Sequence, residues 1–375
     1  MIYLDNAATT FPKPDIVYDY VDWVQRNIAV NLGRGGYRIA KKAMNISELA
    51  RQKLAEFVHA AEQNNVVFTP SATIAANEII FGLSWDSLKN VYVTPFEHNA
   101  IMRPLELVRE KFNISIHVLP FDSDTQELDM DEMERLFRLY PPDYVFINQV
   151  SNVTGVIVPV DIIAASAHYY GALIIVDGSQ SVGILDIDLR NLLIDYLIFA
   201  GHKNLYASWG IGGFIVNTQH KLNPYIAGGT GSDSLNMKMF GYEAGSPNII
   251  AIASLYKSLE WLSKVGLTAI AKHKAELTEM LIEGLKERGA ELYVPKIRQL
   301  HTSVVSFNLA DYEPSEVGMI LDCDYDIAVR TGFHCAPLVH KLIGSEDRKG
   351  TVRASIGYFN TKEDIQSIID AIHEI

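Results

Sequence analysis

A lysine directly follows a hydrophobic segment in the middle of the chain. Tyr196–Ala200 predicts a buried strand, after which come Gly201, His202 and Lys203. Lysine is rarely buried unless it is paired or used chemically, and a desolvated amine has a lowered pKa and attacks aldehydes. Lys203 is therefore a candidate for a Schiff-base lysine, and the alternative is a side chain that reaches solvent.

A carboxylate ends another hydrophobic segment. Ala172–Asp177 reads ALIIVD, so Asp177 stands where the predicted strand stops. Such a carboxylate can simply cap the next helix, and spacing alone does not decide between this and a functional interpretation. The functional interpretation is a fixed anion for a protonated heteroaromatic ring nitrogen, which a ring needs when it acts as an electron sink.

Small polar residues follow the predicted strand Asn65–Thr69. Ser71, Ala72 and Thr73 begin a predicted helix there, and their free backbone N–H groups, with the Thr73 hydroxyl, would suit a phosphate. The signal is weak by itself, because serine and threonine cap many helices that bind no ligand.

Two more polar side chains follow predicted strands. His98 lies in PFEHNA after Asn90–Thr94, and Asn152 lies in SNVTG after Tyr144–Gln149. Taken alone, His98 is better interpreted as a structural histidine, although its flat ring could also stack on a heteroaromatic group. Asn152 could hydrogen-bond a ring oxygen or a substrate carboxylate.

All these residues depend on the same kind of element to position them. Seven hydrophobic runs predict strands: Asn65–Thr69, Asn90–Thr94, Ser115–Leu119, Tyr144–Gln149, Ala172–Asp177, Tyr196–Ala200 and Gly212–Val216. Helical patterns lie between several of them: Pro104–Phe112, Asp129–Leu139 and Asp161–Tyr169. This alternation predicts an α/β domain with a mostly parallel seven-stranded sheet, in which ligands gather at the carboxyl ends of strands.

A turn-rich segment, Gly241–Asn248, predicts a domain boundary. Two helical patterns follow it, Ile249–Val265 and Leu267–Arg288. We therefore expect a large α/β domain over residues 14–248 and a smaller α+β domain that contains residues 249–375.

Composition narrows the possible partners. The 375 residues have 32 basic and 45 acidic side chains, a formal net charge of −13, which argues against nucleic acid and anionic membranes. Two cysteines are too few for a disulfide framework, and no metal site is expected. The opening MIYLDNAATT has no signal-peptide features, and no apolar run is long enough to span a membrane, so we expect a soluble, cytoplasmic protein.

The sequence resembles the class V aminotransferase family of fold-type I pyridoxal 5′-phosphate (PLP) enzymes, and within it the cysteine desulfurases. Eight segments match in order along nearly the whole chain: YLDNAATT, EHNA, SNVTG, VDGSQ, GHK, EAGSPN, RTGFHCAP and VRASIGYFNT. The resemblance implies that residues 1–13 join the small domain and that the protein is a homodimer. Two residues depart from the family pattern: Ala200 stands where a phosphate-binding hydroxyl is common, and Tyr37 where a histidine is common.

The resemblance implies a role for each matching residue around the cofactor. Lys203 corresponds to the lysine that holds PLP as an imine, Asp177 to the partner of the pyridine nitrogen, and Gln180 to the donor to the ring hydroxyl. His98 corresponds to the stacking histidine, which in this family can also move protons. The implied phosphate contacts are those of Thr73 and His202, and of Ser246 from the second subunit. The contact of the hydroxyl absent at position 200 is either missing or supplied by Ser71.

The substrate side of the site is implied in the same way. Asn152 and Arg353 correspond to the binders of the substrate carboxylate, and the planar fork of an arginine suits both carboxylate oxygens. Arg330 is expected to be a further substrate-binding residue. Cys335 in RTGFHCAP corresponds to the sulfur-accepting cysteine, and Arg330 and His334 are expected to be the cations that lower the pKa of its thiol. The alternative is an inert buried cysteine, and Cys323 is expected to be structural.

These residues together predict a PLP-dependent cysteine desulfurase. It would convert L-cysteine to L-alanine, leave a persulfide on Cys335 and pass the sulfur to a small acceptor protein. A selenocysteine lyase, or another class V PLP aminotransferase or lyase, is the alternative. A non-catalytic scaffold homologue is the less favoured one, because Lys203, Asp177 and Arg353 are all present.

Overall fold

A computed structural model describes residues 1–32, 36–62, 65–229 and 241–375 of the chain. In these residues the strands are, in chain order, β1 (Ile2–Tyr3), β2 (Val66–Thr69), β3 (Lys89–Val93), β4 (Ile114–Val118), β5 (Tyr144–Asn148), β6 (Leu173–Asp177), β7 (Tyr196–Ala200), β8 (Gly212–Val216), β9 (Glu291–Leu292), β10 (Val304–Asn308), β11 (Ile327–Ala328), β12 (Arg330–Gly332) and β13 (Thr351–Ser355).

The helices of the same residues lie mostly between these strands. They are α1 (Asp15–Asn27), α2 (Arg38–Phe57), α3 (Ala72–Gly82), α4 (Asn99–Lys111), α5 (Met130–Leu139), α6 (Val160–Tyr169), α7 (Ile249–Val265), α8 (Leu267–Glu287), α9 (Pro314–Tyr325), α10 (Val339–Leu342) and α11 (Lys362–Glu374). Within the described ranges, no helix is both long enough and apolar enough to cross a membrane.

The largest sheet has seven strands in the order β2-β8-β7-β6-β5-β3-β4. All neighbours are parallel except at β8, which runs antiparallel to both β2 and β7. This topology confirms the expected α/β fold with a mostly parallel sheet. It also brings the carboxyl ends of β5, β6 and β7 together at one edge, where ligands of such sheets bind.

Both faces of the central strands are buried, which is why they read as continuous hydrophobic runs. Alternate residues of β7 belong to two different cores: Leu197 and Phe199 pack on one face, and Tyr196 and Ile198 on the other. The period-2 alternation of side chains in a strand produces this division. The end of β7, shortly before Lys203, is therefore packed on both of its faces.

A smaller antiparallel sheet, in the order β12-β13-β10-β9, lies on the C-terminal side of the chain. The N-terminal residues pack there too, because β1 pairs with β11 and Leu4 is buried in the core beneath α8 and α11. The division at residue 248 stays a prediction. Since α7 packs against α1 and α2 in the core of the large sheet, we propose that the small domain begins within α8.

Most predicted elements start and end within two residues of the observed ones. The exception is α4, which begins at Asn99 and not at Pro104. A proline is most often found in the first turn of a helix, yet Pro104 lies inside this one. His98 is the N-cap residue, and its Nδ1 accepts a hydrogen bond from the Ala100 N–H at 3.0 Å.

Candidate active site

A cavity of about 250 Å³ opens at the carboxyl ends of the central strands. Most of the predicted site residues line it: Ser71, Ala72, Thr73, His98, Asn152, Asp177, His202, Lys203, Arg330 and Arg353. The strand order explains the convergence, because these side chains come from loops that follow neighbouring strands or from the adjoining edge of the small sheet.

The loop that carries Lys203 is held by the N-terminal residues. The His202 carbonyl accepts hydrogen bonds from the Thr10 N–H at 3.1 Å and from the Lys13 Nζ at 2.7 Å, and the Lys203 carbonyl accepts one from the Thr10 hydroxyl at 2.9 Å. Burial lowers the pKa of Lys203 to about 8, against the opposing effect of Asp177. Lys203 therefore loses its proton more readily than an exposed lysine does.

Asp177 ends β6 as a buried carboxylate. Its Oδ1 accepts a hydrogen bond from the Ser179 N–H at 2.9 Å, and its backbone is paired in register with Asn148 and Ile198 on the neighbouring strands. A carboxylate held in this way keeps its position when a cationic ring nitrogen approaches it. Asp177 thus lies in the cavity wall as a fixed anion.

The start of α3 forms the anion end of the cavity. Ser71 is the N-cap, and its Oγ accepts a hydrogen bond from the Ile74 N–H at 3.3 Å, whereas the Ala72 and Thr73 N–H groups have no acceptor in the described part of the chain. A glycine faces this turn: a Cβ on Gly212 would lie 2.6 Å from the Ala72 nitrogen. The close approach of β8 therefore fixes these free N–H groups, which suit a phosphate.

His202 lies beside the same end of the cavity. Its ring stacks on Trp209, with 4.0 Å between centroids, and its buried Nδ1 has no hydrogen-bond partner among the described residues. Burial, then Lys203 and Lys13, lowers the pKa of His202 to about 3, so the ring is neutral. A buried unpaired nitrogen is costly. A phosphate-bearing ligand would give it a partner, and the donor set fits such a group.

The His98 ring faces the cavity in one defined tautomer. An N–H group can only donate, so the contact from Ala100 makes Nδ1 the acceptor and leaves the hydrogen on Nε2. Burial and then Lys203 lower the pKa of His98 to about 4, with Asp177 opposing. The ring is therefore a neutral, flat donor at physiological pH.

Arg353 is fully buried on β13 and paired with a carboxylate. Its Nη2 donates to Asp5 Oδ1 at 2.5 Å, its Nη1 donates to the Asn152 carbonyl at 2.8 Å, and its Nε has no partner in the described residues. The sequence comparison implied that Arg353 binds the substrate carboxylate. The observed pair with Asp5 is buried within the subunit, at the wall of the cavity.

Cys335 lies in the turn of residues 333–336 directly after β12, next to this wall. Its sulfur is 3.2 Å from Arg330 Nη2, and its carbonyl accepts a hydrogen bond from the Asn99 N–H at 2.8 Å. The expectation that His334 is a second cation is wrong. Burial, then Arg353, lowers the pKa of His334 well below its ordinary value, so the ring is neutral. Cys323 is exposed on α9, and its structural role stays a prediction.

Two predicted cofactor residues do not line the cavity. The Gln180 amide nitrogen donates to the Ala7 carbonyl at 2.8 Å, so this donor has a protein partner. Ser246 lies beside a second cavity of about 330 Å³, together with Tyr242 and Glu243. The predicted contact of Ser246 is with a cofactor in the second subunit. The roles of Gln180 and Ser246 therefore both stay predictions.

Three residues of the site were missed in the sequence. Trp209 stacks on His202, Asp5 pairs with Arg353, and Glu97 is buried beside His98, where its Oε1 accepts from the Thr94 hydroxyl at 2.7 Å and the Asn148 N–H at 2.6 Å. Asp5 and Glu97 lie inside two of the matched segments, YLDNAATT and EHNA, which was the available signal. Nothing in the sequence alone marked Trp209.

The chain is similar to known proteins both in sequence and in structure. Residues 2–368 match the sequence model of the family described as Aminotransferase class-V. A probable cysteine desulfurase of Pyrococcus abyssi is 31% identical, over 100% of this chain and 94% of that protein, and one of Halalkalibacterium halodurans is 32% identical, over 100% and 93%. The apo structure of a cysteine desulfurase from Thermococcus onnurineus NA1 is 30% identical and covers 100% of this chain and 94% of its own, with a TM-score of 0.93.

Proposed function

This chain belongs to the aminotransferase class-V family, and we propose that it is a cysteine desulfurase that binds PLP beside Lys203 and takes sulfur from L-cysteine. One observation carries the proposal: a half-buried lysine amine, a fixed carboxylate and a buried guanidinium meet at a single cavity, next to a thiol that contacts an arginine. The relatives named as cysteine desulfurases, which match the whole chain, support it.

The cavity offers a partner for each part of PLP. Lys203 would hold its aldehyde end, Asp177 its ring nitrogen, and the N–H groups of Ala72 and Thr73, with His202, its phosphate. When bound, PLP supplies a carbon that condenses with amines and a ring that withdraws electrons from the substrate Cα. Ala200 also lines the cavity, so the hydroxyl absent there is replaced by backbone donors or by Ser71.

Lys203 then serves as the base of the reaction. With a pKa of about 8, roughly a tenth of its side chains are unprotonated at neutral pH, enough to take a proton from the substrate Cα. His98 is neutral and has its hydrogen on Nε2, so it can hold or return a proton at that atom. Arg353 and Asn152 would bind the substrate carboxylate from the small-sheet side of the cavity.

Sulfur transfer is the role of Cys335. Its thiolate attacks the substrate sulfur, so that an S–S bond forms while the substrate Cβ–S bond breaks and its electron pair stays with the carbon fragment. A proton replaces the sulfur on Cβ, which gives alanine, and Cys335 remains as a persulfide. Arg330 Nη2, 3.2 Å from the sulfur, donates a hydrogen bond to it and so orients the sulfur.

Two kinds of partner complete the proposal. A second copy of the chain would contribute Ser246 to the phosphate site, and a small acceptor protein would accept the persulfide sulfur. Selenocysteine is the alternative substrate, and side-by-side measurement of alanine release from both amino acids separates the two activities.

The test has two mass measurements on purified holoenzyme. Borohydride should fix a pyridoxyl group on the peptide that contains Lys203, and this label should be missing from the Lys203→Ala variant. Addition of L-cysteine should then add one sulfur to the peptide that contains Cys335. A label on another lysine, or no label, would refute the PLP assignment, and sulfur found only elsewhere would refute the role of Cys335.

A further inference from the structure

The turn that carries Cys335 has an unfavourable backbone conformation. His334 and Cys335 both have positive φ angles, 48° and 60°, which non-glycine residues rarely adopt. Such conformations persist only where surrounding contacts determine them. The contacts that hold this turn therefore also determine where the sulfur lies.

His334 provides the side-chain contact. Its ring is buried, and Nε2 lies 2.8 Å from the Thr351 hydroxyl and 3.1 Å from the Thr351 carbonyl, at the first residue of β13. A carbonyl can only accept, so Nε2 carries the hydrogen and the neutral ring donates to β13. The His334 carbonyl in turn accepts from the Asn152 Nδ2 at 2.8 Å.

The same strand determines the position of Arg330. On β12, Arg330 pairs in register with Arg353 of β13, and Gly332 pairs with Thr351. The His334 ring thus connects the turn that carries Cys335 to β13, the strand that also pairs with β12 and so fixes Arg330. Without this contact, β12 would still hold Arg330, and the turn would be left with the contacts of its His334 and Cys335 carbonyls to Asn152 and Asn99, which fix the main chain less completely.

We propose that His334 is a positioning residue: its ring binds the turn after β12 to Thr351 and so keeps the Cys335 sulfur against Arg330. The inference rests on the proposed function only for its purpose in catalysis, because the placement of the thiol can be measured without substrate. The charged or titratable groups that interact with the sulfur or with the His334 ring are Arg330 on β12, Arg353 on β13 with its partner Asp5, Lys203 after β7, and His340 on α10, whose ring centroid is 5.9 Å from that of His334.

The experiment measures alkylation of Cys335 by iodoacetamide against pH, in holoenzyme without cysteine, by peptide mass mapping. In His334→Leu the profile should become that of the Arg330→Met variant, because the sulfur no longer lies against the arginine. In His334→Gln, whose amide nitrogen reaches about as far as Nε2, the midpoint should stay near the wild-type value. Thr351→Val, which removes only the hydroxyl, should change the profile less than His334→Leu does.

Cys323 provides an internal reference, since it is exposed on α9 and its profile should be the same in every variant. A wild-type midpoint in His334→Leu, with the variant folded by circular dichroism, would overturn the inference, as would equal shifts in the leucine and glutamine variants. If the shifts occur but wild-type enzyme releases no alanine from cysteine, the proposed function fails and the positioning role stands.

Discussion

The Arg330 guanidinium on β12 contacts the sulfur of Cys335 in the turn after this strand, with 3.2 Å between Nη2 and Sγ. Arg330 also lines the cavity that contains Lys203, so the cation joins the thiol to the rest of the site. Because His334 is neutral, the stabilisation of a thiolate falls to the arginine and to more distant cations.

Removal of that cation should slow sulfur transfer and leave cofactor binding intact. In Arg330→Met, we expect the rate of persulfide formation on Cys335 to fall about 10- to 100-fold, because a hydrogen bond from a charged donor is lost. Single-turnover mass spectrometry measures this rate. The exposed Arg138 on α5 supplies the control, Arg138→Met, and an equal loss in both variants would contradict the role of Arg330.

The two cysteines should differ completely in their effect on activity. Cys335→Ala should bind PLP normally, with the wild-type absorption spectrum, and release alanine from cysteine at a rate lower by about two orders of magnitude or more. Cys323→Ala should be as active as wild type, since this thiol is exposed on α9. Unchanged turnover in Cys335→Ala would remove that cysteine from the mechanism.

The uptake of PLP by apoprotein should depend on the protonation of Lys203. Its pKa of about 8 means that the amine is charged below that pH and reactive above it, so the rate should rise through about pH 8 and then level off. Stopped-flow absorbance measures the profile. Asp177 opposes the lowering of this pKa, so in Asp177→Asn the midpoint should move to lower pH. A shift to higher pH would contradict the electrostatic argument.

The buried acid Glu97 should make stability depend on pH. Burial raises its pKa to about 8, so the native state holds a proton that the unfolded chain has released above its ordinary pKa of 4.5. The protonated acid is the stable form in the native core, so stability is lost as pH rises toward 8. Glu97→Gln removes this loss and should raise Tm by about 1–3 °C at pH 9 relative to wild type, with little change at pH 4.

Scanning calorimetry at the two pH values checks this result. The control is Glu110→Gln, an exposed glutamate of α4, which should behave like wild type at both. If Glu97→Gln lowers Tm most at high pH, the carboxylate is stabilising when charged and the assigned proton is absent.

The large sheet could be predicted from the sequence because its strands are covered on both faces. Buried parallel strands need nearly continuous hydrophobic runs, so their bounds were visible, and Tyr196–Ala200 was placed without error. Short elements such as β9, β11 and β12 left no such pattern, because two or three residues cannot show a periodicity.

Charge states were harder to predict than positions. His334 was expected to be a cation because it precedes Cys335 in sequence, whereas its burial makes it a neutral donor to Thr351. Burial and hydrogen-bond partners arise from the packing of distant segments, so the identity of a side chain does not reveal them.

The sequence by itself determined the chemical groups of this protein and the ends of the strands that carry them. It placed Lys203 and Asp177 after hydrophobic runs, and matched segments supplied the reaction. Only the tertiary structure decided which atoms meet: Asp5 with Arg353, Arg330 with Cys335, and His334 with Thr351. These pairs join segments whose distance and orientation follow from sheet register and burial, and those are properties of the whole folded chain.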